Sequence, residues 1–444
     1  MRKSMKTALG LCATTMVLAT TLEMPLASGA AGPPAVSQRA LTDLQIATMV
    51  PAAQAELLDP LRATAGALSE AGRGMAADVF TSVEIDANHG VVNLYLTEPT
   101  RADGILETAK SANPSIDTSL VRPHRSTYTR AALARAQDAY LAQPHPYAVY
   151  AVSAAPDGSG LQIAVDTPAT AGTADGIDVA VSPLVRASTN MFSPVATVSS
   201  ASTVARIFTK GFPRQAKSDA WNNIKWHDHP PFIGGDVITN GSGHCTTGLP
   251  AVRQSDGRPV MVTAAHCFKL GERVFTGAGK TWSWSNHRIG NYVGTVRSRS
   301  QVWDAELLVG ADNNADESDV NRWIPLTSVR YSFRGDMVCH SGAKSAYRGH
   351  SSPCGIKVTN PDTRWLIHGY VARGVEGVDV HGWGSVVGDS GATVWAATGN
   401  PNARQARGIV SDGGKDGTAD QRRVLWTEAV DIFRAFGLKL NPVR

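Results

Sequence analysis

The spacing of apolar and polar positions divides the chain into two parts. Residues 41–68 are rich in Ala and Leu and are broken by Pro51 and Pro60, and residues 129–140 are rich in Ala and Arg, so both stretches predict helical structure. Residues 83–96 and 147–165 each contain two β-prone runs around a short polar turn, and each predicts a hairpin. The order helix, hairpin, helix, hairpin predicts an α+β region.

From about residue 230 onward, short apolar segments alternate with turns rich in Gly, Asn, Asp and Ser. Residues 260–262 and 408–410 are typical segments. Many short strands with regular turns favour a β-sandwich or a β-barrel. One helix is expected near the end of the chain, with Thr427 as its cap and Gly437 at its stop.

The N-terminus predicts a secretory signal peptide over residues 1–31. A basic start precedes a largely apolar stretch, residues 7–22, and the small residues 27–31 offer a cleavage site. A membrane anchor is the alternative, but this apolar stretch has about 16 residues and a spanning helix needs about 20. No later segment is long and apolar enough to span a membrane. We therefore expect a secreted, extracellular protein without a membrane partner.

Cysteine usage fits export. Cys12 lies in the leader, and an even number remains: Cys245, Cys267, Cys339 and Cys354. Four cysteines allow three pairings, of which the sequence-local one joins the first to the second and the third to the fourth. No C-x-x-C pair occurs, which disfavours a zinc site. We expect no metal and no cofactor.

Composition places a boundary near residues 205–232. Between the leader and residue 205 there is no cysteine and no tryptophan, whereas all ten tryptophans occur from Trp221 onward. The net charge is +4, from 42 basic and 38 acidic side chains, and the basic residues are scattered. This balance gives no electrostatic case for a nucleic-acid partner.

A glycine-flanked serine in the second part is a candidate nucleophile. It lies in the run Gly388-Asp389-Ser390-Gly391, whose glycines allow unusual φ angles and a close approach to a substrate carbonyl. The backbone N–H groups of Gly388 and Ser390 could then point together at an oxyanion. The alternative is an ordinary Gly-rich turn.

A serine nucleophile also needs a general base and a carboxylate that orients it. His266 is a candidate base, because a disulfide at the adjacent Cys267 would fix its position. Asp304 and Glu306 are rival acids in one apolar run, and the two-residue alternation of a strand does not separate them. The alternatives are a structural histidine beside a disulfide and an acid on the solvent face of an edge strand.

Taken in order, three segments resemble the chymotrypsin-like serine peptidases: residues 263–267 with His266, Asp304 in its apolar run, and residues 388–391 with Ser390. Two further segments resemble the bacterial secreted branch of that family, the streptogrisins and α-lytic-type proteases. They are residues 234–248, with Gly234-Gly235-Asp236 before Cys245-Thr246-Thr247-Gly248, and residues 338–355. The resemblance covers about residues 232–436, and it favours Asp304 over Glu306.

This resemblance implies a mainly β fold, in which two antiparallel six-stranded β-barrels with a C-terminal helix follow an α+β propeptide domain. The expected order is a signal peptide (1–31), a propeptide (32–205), a linker and maturation region (206–231) and a chymotrypsin-like protease domain (232–444). A propeptide can assist folding, because non-local β pairing is slow. The alternative is a binding domain that stays attached. The expected partners of a monomeric enzyme are its own propeptide and protein or peptide substrates.

Substrate binding is expected at Gly384, Ser411, Asp412 and Gly413. The segment from Ser411 to Gly413 resembles the one that pairs with an extended substrate in this family. Gly384 lies where a trypsin-like enzyme has an acidic pocket base, so its lack of charge favours a hydrophobic or small side chain at the cleavage site. The resulting expectation is a secreted serine endopeptidase made as a proenzyme. A catalytically silent secreted binding protein and an esterase that uses the same three residues are the alternatives.

Overall fold

Strands dominate the chain, and the longer helices lie in its N-terminal part. The computed structural model describes residues 40–145, 148–166, 195–200, 225–319, 322–350, 352–414, 417 and 419–442. The predicted signal peptide and most of the predicted linker lie outside the described residues. All described residues belong to one unit, Ala40–Arg444.

The N-terminal part consists of helices, a three-stranded sheet (β1–β3) and three strands (β4–β6) that extend the barrel sheet. Its elements are α1 (Asp43–Ala47), α2 (Pro51–Gly74), β1 (Phe80–Asp86), β2 (Val91–Leu96), α3 (Ala102–Ala112), β3 (Val121–Arg125), α4 (Arg130–Leu141), β4 (Ala148–Ala154), β5 (Gly160–Asp166) and β6 (Val195–Ser200). Antiparallel pairing of β1 with β2 and of β4 with β5 confirms both predicted hairpins.

Helix α2 covers the β1–β2 hairpin with one apolar face. Leu58, Leu61 and Leu68 recur at helical spacing and are buried in the core of this part. Pro51 begins the helix, where a proline has no intrahelical bond to lose, but Pro60 lies inside the helix rather than breaking it. An internal proline costs about 3 kcal/mol. Burial of the leucines on both sides, at about 1.5–3 kcal/mol each, offsets that cost.

Strands form nearly all of the part after residue 225. Its elements are β7 (Phe232–Gly234), β8 (Val237–Thr239), β9 (His244–Thr246), β10 (Pro250–Arg253), β11 (Pro259–Ala264), β12 (Arg273–Gly277), β13 (Ile289–Ser300), β14 (Ala305–Gly310), β15 (Asn313–Asp319), β16 (Arg322–Val329), β17 (Met337–His340), α5 (Ala343–Tyr347), β18 (Cys354–Ile367), β19 (Tyr370–Asp379), β20 (Thr393–Ala397), β21 (Arg404–Gly413), β22 (Arg423–Glu428), α6 (Ala429–Phe436) and β23 (Leu438–Leu440). The mainly β prediction is confirmed.

Strands β17 to β22 close into an antiparallel barrel. The pairs run β17–β18, β18–β19, β19–β22, β22–β21, β21–β20 and back from β20 to β17. All of these strands contribute buried side chains to its interior: Val338, Ile356, Val358, Val375, Val394, Ala396, Val410, Val424 and Trp426. The barrel matches one of the two that the resemblance implies.

The other large group of strands is an eight-stranded antiparallel sheet in the order β23–β10–β11–β14–β13–β12–β8–β9. Phe232, Ile238, Met261, Val274 and Leu308 are buried in one core against it. The candidate site lies between this sheet and the barrel, since His266 follows β11 whereas Ser390 precedes β20.

The N-terminal part continues the barrel sheet. Residues 151–153 of β4 pair antiparallel with residues 363–365 of β18. A buried ion pair adds to this contact, because Arg62 of α2 donates from Nε to Asp336 Oδ1 at 2.8 Å. The α+β region is thus bonded to the barrel through elements that are far apart in sequence.

Helix α6 begins one residue later than the sequence predicts. Its N-cap is Glu428 rather than Thr427, because strand β22 continues through Glu428, whose partner in the β21–β22 ladder is Gly408. Gly437 ends the helix as predicted, with a left-handed φ of 62°. In the described part of the chain, every helix is too short or too polar to cross a bilayer.

Candidate active site

His266 and Asp304 lie side by side at the ends of two paired strands. Ala264 ends β11 and Ala305 begins β14, and these two residues face each other across the ladder. His266 comes two residues after the first and Asp304 directly before the second, so the strand register brings them together. His266 Nδ1 lies 2.8 Å from Asp304 Oδ2, and the His266 backbone N–H donates to Asp304 Oδ1 at 3.0 Å.

The Asp304 carboxylate is buried and accepts from two further donors. The hydroxyl of Ser411 donates to Oδ2 at 2.5 Å, and the hydroxyl of Tyr370 donates to Oδ1 at 2.6 Å. Burial acts to raise the pKa of Asp304, but the charge and hydrogen bond of His266, with the two hydroxyl donors, hold that pKa below its ordinary value. Asp304 is therefore an anion at neutral pH, and its charge faces the imidazole.

Glu306, the rival acid, contacts a different partner. Its buried carboxylate lies 3.2 Å from Arg299 Nε. Burial raises the pKa of Glu306 to about 9 in spite of the arginine charge. The two acids do not share a strand face, because Asp304 precedes β14 with a φ of 35° and the two-residue alternation does not extend to it.

Ser390 lies on a turn that only glycine can flank. Gly388 and Gly391 have φ values of 107° and 88°, in the region that favours glycine. A Cβ on Gly391 would lie 2.1 Å from Thr263 Oγ1 and 2.3 Å from the carbonyl oxygen of Thr246. The turn is therefore packed directly against strands β9 and β11.

The carbonyl of Ser390 is tied to the segment that carries His266. It accepts a hydrogen bond from Thr246 N at 2.8 Å. The residue before Thr246, Cys245, forms a disulfide with Cys267. Because Cys267 is the neighbour of His266, a short bonded path joins the turn to the imidazole.

The other end of the turn is tied to the segment that holds Asp304. Gly391 N donates to Val410 O at 2.7 Å. The next residue, Ser411, is the one whose hydroxyl donates to Asp304. The strand pairing between β20 and β21 thus sets the position of the serine relative to the acid.

No hydrogen bond joins Ser390 Oγ to His266 within the part of the chain that the structure describes. Such bonds are often long in the absence of substrate and tighten in the complex. The His266 side chain is 10% exposed and Ser390 is half-buried, so a substrate can reach both. The structure brings the three residues that the sequence singles out into one neighbourhood.

Two backbone donors on this turn have no partner among the described residues: the N–H groups of Gly388 and Ser390. Unpaired backbone N–H groups are uncommon in folded proteins. The turn is held from its buried side by Asp389, which accepts from Ser345 N at 2.9 Å and from Val386 N at 3.0 Å. This anchoring leaves both donors available to a ligand oxygen.

Ser411, Asp412 and Gly413 end strand β21. Asp412 and Gly413 pair with β22 on one side, whereas on the other side β20 pairs only as far as Ile409. The hydroxyl of Tyr150, from the N-terminal strand β4, donates to Asp412 Oδ2 at 3.1 Å and lies 3.4 Å from Gly413 O. Burial raises the pKa of Asp412, against the hydrogen bonds from Gly413 N and Tyr150. The N-terminal part thus contacts the segment expected to bind substrate.

Gly384 is enclosed by backbone and by a buried histidine. A Cβ at this position would lie 2.6 Å from Arg422 O, so no side chain fits. Gly384 O accepts from His340 Nε2 at 2.6 Å. Burial lowers the pKa of His340, which is therefore neutral at pH 7. The predicted pocket base thus carries neither a side chain nor a charge.

Both disulfides of the sequence-local pairing are present, Cys245–Cys267 and Cys339–Cys354. Among the described residues, the potential metal-ligand atoms of Cys245, His266 and Cys267 lie close together. Both sulfurs are used by the disulfide, so neither offers the thiolate that a metal requires.

Tyr370 and His368, which have no catalytic motif of their own, also lie at this site. Both belong to the tip of the β18–β19 hairpin. Two β-prone runs separated by His368-Gly369 are a hairpin signal, so the turn could have been recognised. The contact of Tyr370 with Asp304, 66 residues away in sequence, leaves no local pattern.

The sequence matches no protein-family model and no curated protein. Among solved structures, a Nocardiopsis protease (NAPase) is similar at 24% identity and a TM-score of 0.37, over 47% of this chain and 98% of that one. Protease A of Thermobifida fusca is similar at 20% identity and a TM-score of 0.36, over 47% and 98%. The alpha-lytic protease homolog N4 is similar at 18% identity and a TM-score of 0.36, over 47% and 98%.

Proposed function

We propose that this protein is a serine endopeptidase that hydrolyses peptide bonds through an acyl-enzyme. Ser390 Oγ attacks the scissile carbonyl carbon while His266 takes the hydroxyl proton, and Asp304 holds the imidazole in the required tautomer. His266 gives that proton to the leaving amine as the C–N bond breaks, and the acyl group stays on Ser390. Water, activated by the same imidazole, then releases the acid. The observation that carries the proposal is the buried Asp304–His266 pair beside the Ser390 turn.

The tetrahedral intermediate of this reaction carries a negative oxygen, and we assign its stabilisation to the N–H groups of Gly388 and Ser390. The absence of any described partner for these two donors supports the assignment. Fixed donors of this kind contribute about 10²–10³ in kcat each.

We assign the acyl side of the substrate to Ser411, Asp412 and Gly413. Among the described residues, no strand pairs with the side of these residues that faces away from β22. An extended peptide can therefore add there as a strand and gain affinity through main-chain hydrogen bonds. Gly384 supports a preference for a hydrophobic or small side chain at the cleavage site, because nothing at that position can pair with a basic one.

We propose that the enzyme is exported and made as a monomeric proenzyme, with a signal peptide (1–31) and a propeptide (32–205). Two disulfides fit an oxidising compartment. The pairing of β4 with β18 and the contact of Tyr150 with Asp412 support the propeptide, because an inhibitory segment must lie where substrate binds.

We place the maturation cut before Lys225. The Lys225 side chain is buried and donates to Gly235 O at 2.9 Å and to Ser318 O at 3.0 Å, and its carbonyl accepts from Val237 N at 2.8 Å. These contacts support the assignment of residues 225–231 of the expected linker to the folded protease, with the excised part ending earlier.

A fluorophosphonate probe tests the proposed function. We expect it to label the wild type at one site and to leave Ser390→Ala unlabelled, because only an activated serine attacks phosphorus. If maturation is autocatalytic, this variant also accumulates as the full-length precursor. Intact-mass measurement checks both outcomes. An unlabelled, folded wild type would instead support a silent binding protein, and labelling without peptide cleavage would support an esterase.

The acid side of the pH profile provides a second test. Burial acts to lower the pKa of His266, but the charge and hydrogen bond of Asp304 raise it above its ordinary value. The base works only when neutral, so activity is lost as pH falls through this pKa. We expect a kcat/KM midpoint above about pH 6.5. Peptide hydrolysis between pH 4 and 9 measures it, and a midpoint below pH 6 contradicts the assignment.

A further inference from the structure

The tip of the β18–β19 hairpin reaches the His266–Asp304 pair. Ile367 pairs with Tyr370, and the two residues between them, His368 and Gly369, have φ values of 44° and 84°. Positive φ at both central residues defines the tight turn that suits a hairpin. A left-handed histidine is uncommon, so the turn places its side chain at a local conformational cost.

Two side chains of this turn contact the two residues of the pair. The hydroxyl of Tyr370 donates to Asp304 Oδ1 at 2.6 Å. The ring of His368 stacks on the ring of His266, with centroids 5.2 Å apart and planes inclined by 16°. The contact with the acid is thus a directed hydrogen bond, and the contact with the base is a flat ring-to-ring stack.

We propose that Tyr370 and His368 are positioning residues of the hydrolytic machinery, a proposal that rests on the proposed function. Tyr370 fixes the carboxylate of Asp304, and His368 fixes the plane of the His266 imidazole. The hairpin tip therefore acts as a clamp on the base and its orienting acid.

Four hydrogen bonds hold the Asp304 carboxylate in place. A carboxylate has about four acceptor sites. Oδ1 accepts from the His266 backbone and from Tyr370, and Oδ2 accepts from His266 Nδ1 and Ser411. Because all four acceptor sites are occupied, the carboxylate cannot rotate without breaking one of these hydrogen bonds. The hydrogen bond from His266 Nδ1 to Asp304 therefore keeps a fixed direction.

The β18–β19 hairpin is anchored to the segment that carries Asp304. Arg373 N, three residues after the tip, donates to Val302 O at 2.9 Å, two residues before Asp304. Along the hairpin itself, residues 363–367 pair antiparallel with residues 370–374, within the proposed protease domain. The tip is therefore registered to the segment that carries the acid, and its contacts do not depend on a flexible loop.

The test of Tyr370 is Tyr370→Phe, with Tyr292→Phe as the matched control. A hydrogen bond to a charged group is worth about tenfold to a hundredfold, so we expect kcat to fall by about that factor while KM is unchanged. Fluorophosphonate labelling should slow by the same factor, because it reports serine activation without peptide binding. The Tyr292 hydroxyl forms a hydrogen bond of 2.7 Å with Thr295 Oγ1 on β13. Loss of this hydroxyl should leave both the kcat and the labelling rate unchanged.

The test of His368 compares His368→Asn with His368→Phe. Asparagine tolerates the left-handed backbone but has no ring, so kcat should fall about twofold to tenfold. Phenylalanine restores a ring, and most of the lost rate should return. This pair also decides the proposal if Tyr370→Phe fails to fold, as judged by near-ultraviolet circular dichroism.

The failure of this proposal is distinguishable from that of the proposed function. If wild type is labelled at Ser390 but folded Tyr370→Phe is labelled at the wild-type rate, the hairpin has no positioning role. Equal rates for His368→Asn and His368→Phe overturn the stacking role. If wild type is not labelled at all, the function itself is wrong.

Discussion

Replacement of Asp304 by asparagine is expected to lower kcat by about four orders of magnitude. The asparagine side chain keeps the size of the acid but offers an N–H group in place of one carboxylate oxygen. The imidazole then adopts the wrong tautomer, and the charge that stabilises the imidazolium is lost. The buried acid accepts four hydrogen bonds from its neighbours, two of them from His266, and a neutral amide cannot accept them all. Steady-state hydrolysis of a peptide amide by Asp304→Asn measures the change.

Glu306→Gln is the matched control for this variant. Glu306 is two residues away and also buried, but its pKa of about 9 makes it neutral at pH 7, so glutamine changes little. We expect wild-type kcat within about threefold, since a neutral side chain of the same shape makes similar hydrogen bonds. If Glu306→Gln lost as much activity as Asp304→Asn, the assignment of Asp304 as the orienting acid would be wrong.

Removal of Arg62 is expected to lower the free energy of unfolding of the full chain by about 3–5 kcal/mol. Arg62 donates to Asp336 Oδ1 at 2.8 Å, to Ala397 O at 2.8 Å and to Met337 O at 3.0 Å. Arg62→Ala takes one of two arginines from this fully buried carboxylate and leaves Arg407, 2.9 Å from its other oxygen. Denaturant unfolding in a Ser390→Ala background, which prevents self-cleavage, measures the change.

Arg101→Ala is the control for Arg62→Ala, because it removes an arginine from an exposed ion pair instead of a buried one. Arg101 lies 3.0 Å from Asp78, but the two side chains are 44% and 64% exposed. An exposed pair contributes about 0–1 kcal/mol, because water and salt screen it. Equal losses for the two arginine variants would show that the buried contact between α2 and the barrel has no special weight.

Local pattern was sufficient for α2, for α4 and for both N-terminal hairpins, but helix α3 and strand β3, which lie between the hairpins, were not predicted. Alternation and turn residues predicted both N-terminal hairpins, and Gly437 predicted the end of α6. Thr427 failed as a cap because strand β22 continues one residue further, through Glu428, and Pro60 failed as a breaker because tertiary burial on both sides outweighs a lost bond. Both errors come from long-range contacts that override a local preference.

The residues of the candidate site could be predicted from the sequence, but their contacts with one another could not. Glycines at 388 and 391 and the cysteine beside His266 are visible in the sequence, and each has a steric or covalent reason in the structure. The choice between Asp304 and Glu306 depends on one left-handed residue before β14, which alternation does not reveal. The contact of Tyr370 with Asp304 spans two separate sheets, so no local window contains it.

For the proposed proenzyme, the contact between Tyr150 and the end of β21 has a consequence for how inhibition by the propeptide would depend on dilution. While the chain is intact, the Tyr150 strand is tethered to the edge that it covers, and its effective concentration there does not change with the amount of protein. A cut before Lys225 turns the same contact into a bimolecular one. Under the proposed export and maturation, dilution outside the cell would then lower the occupancy of these residues by the detached N-terminal part.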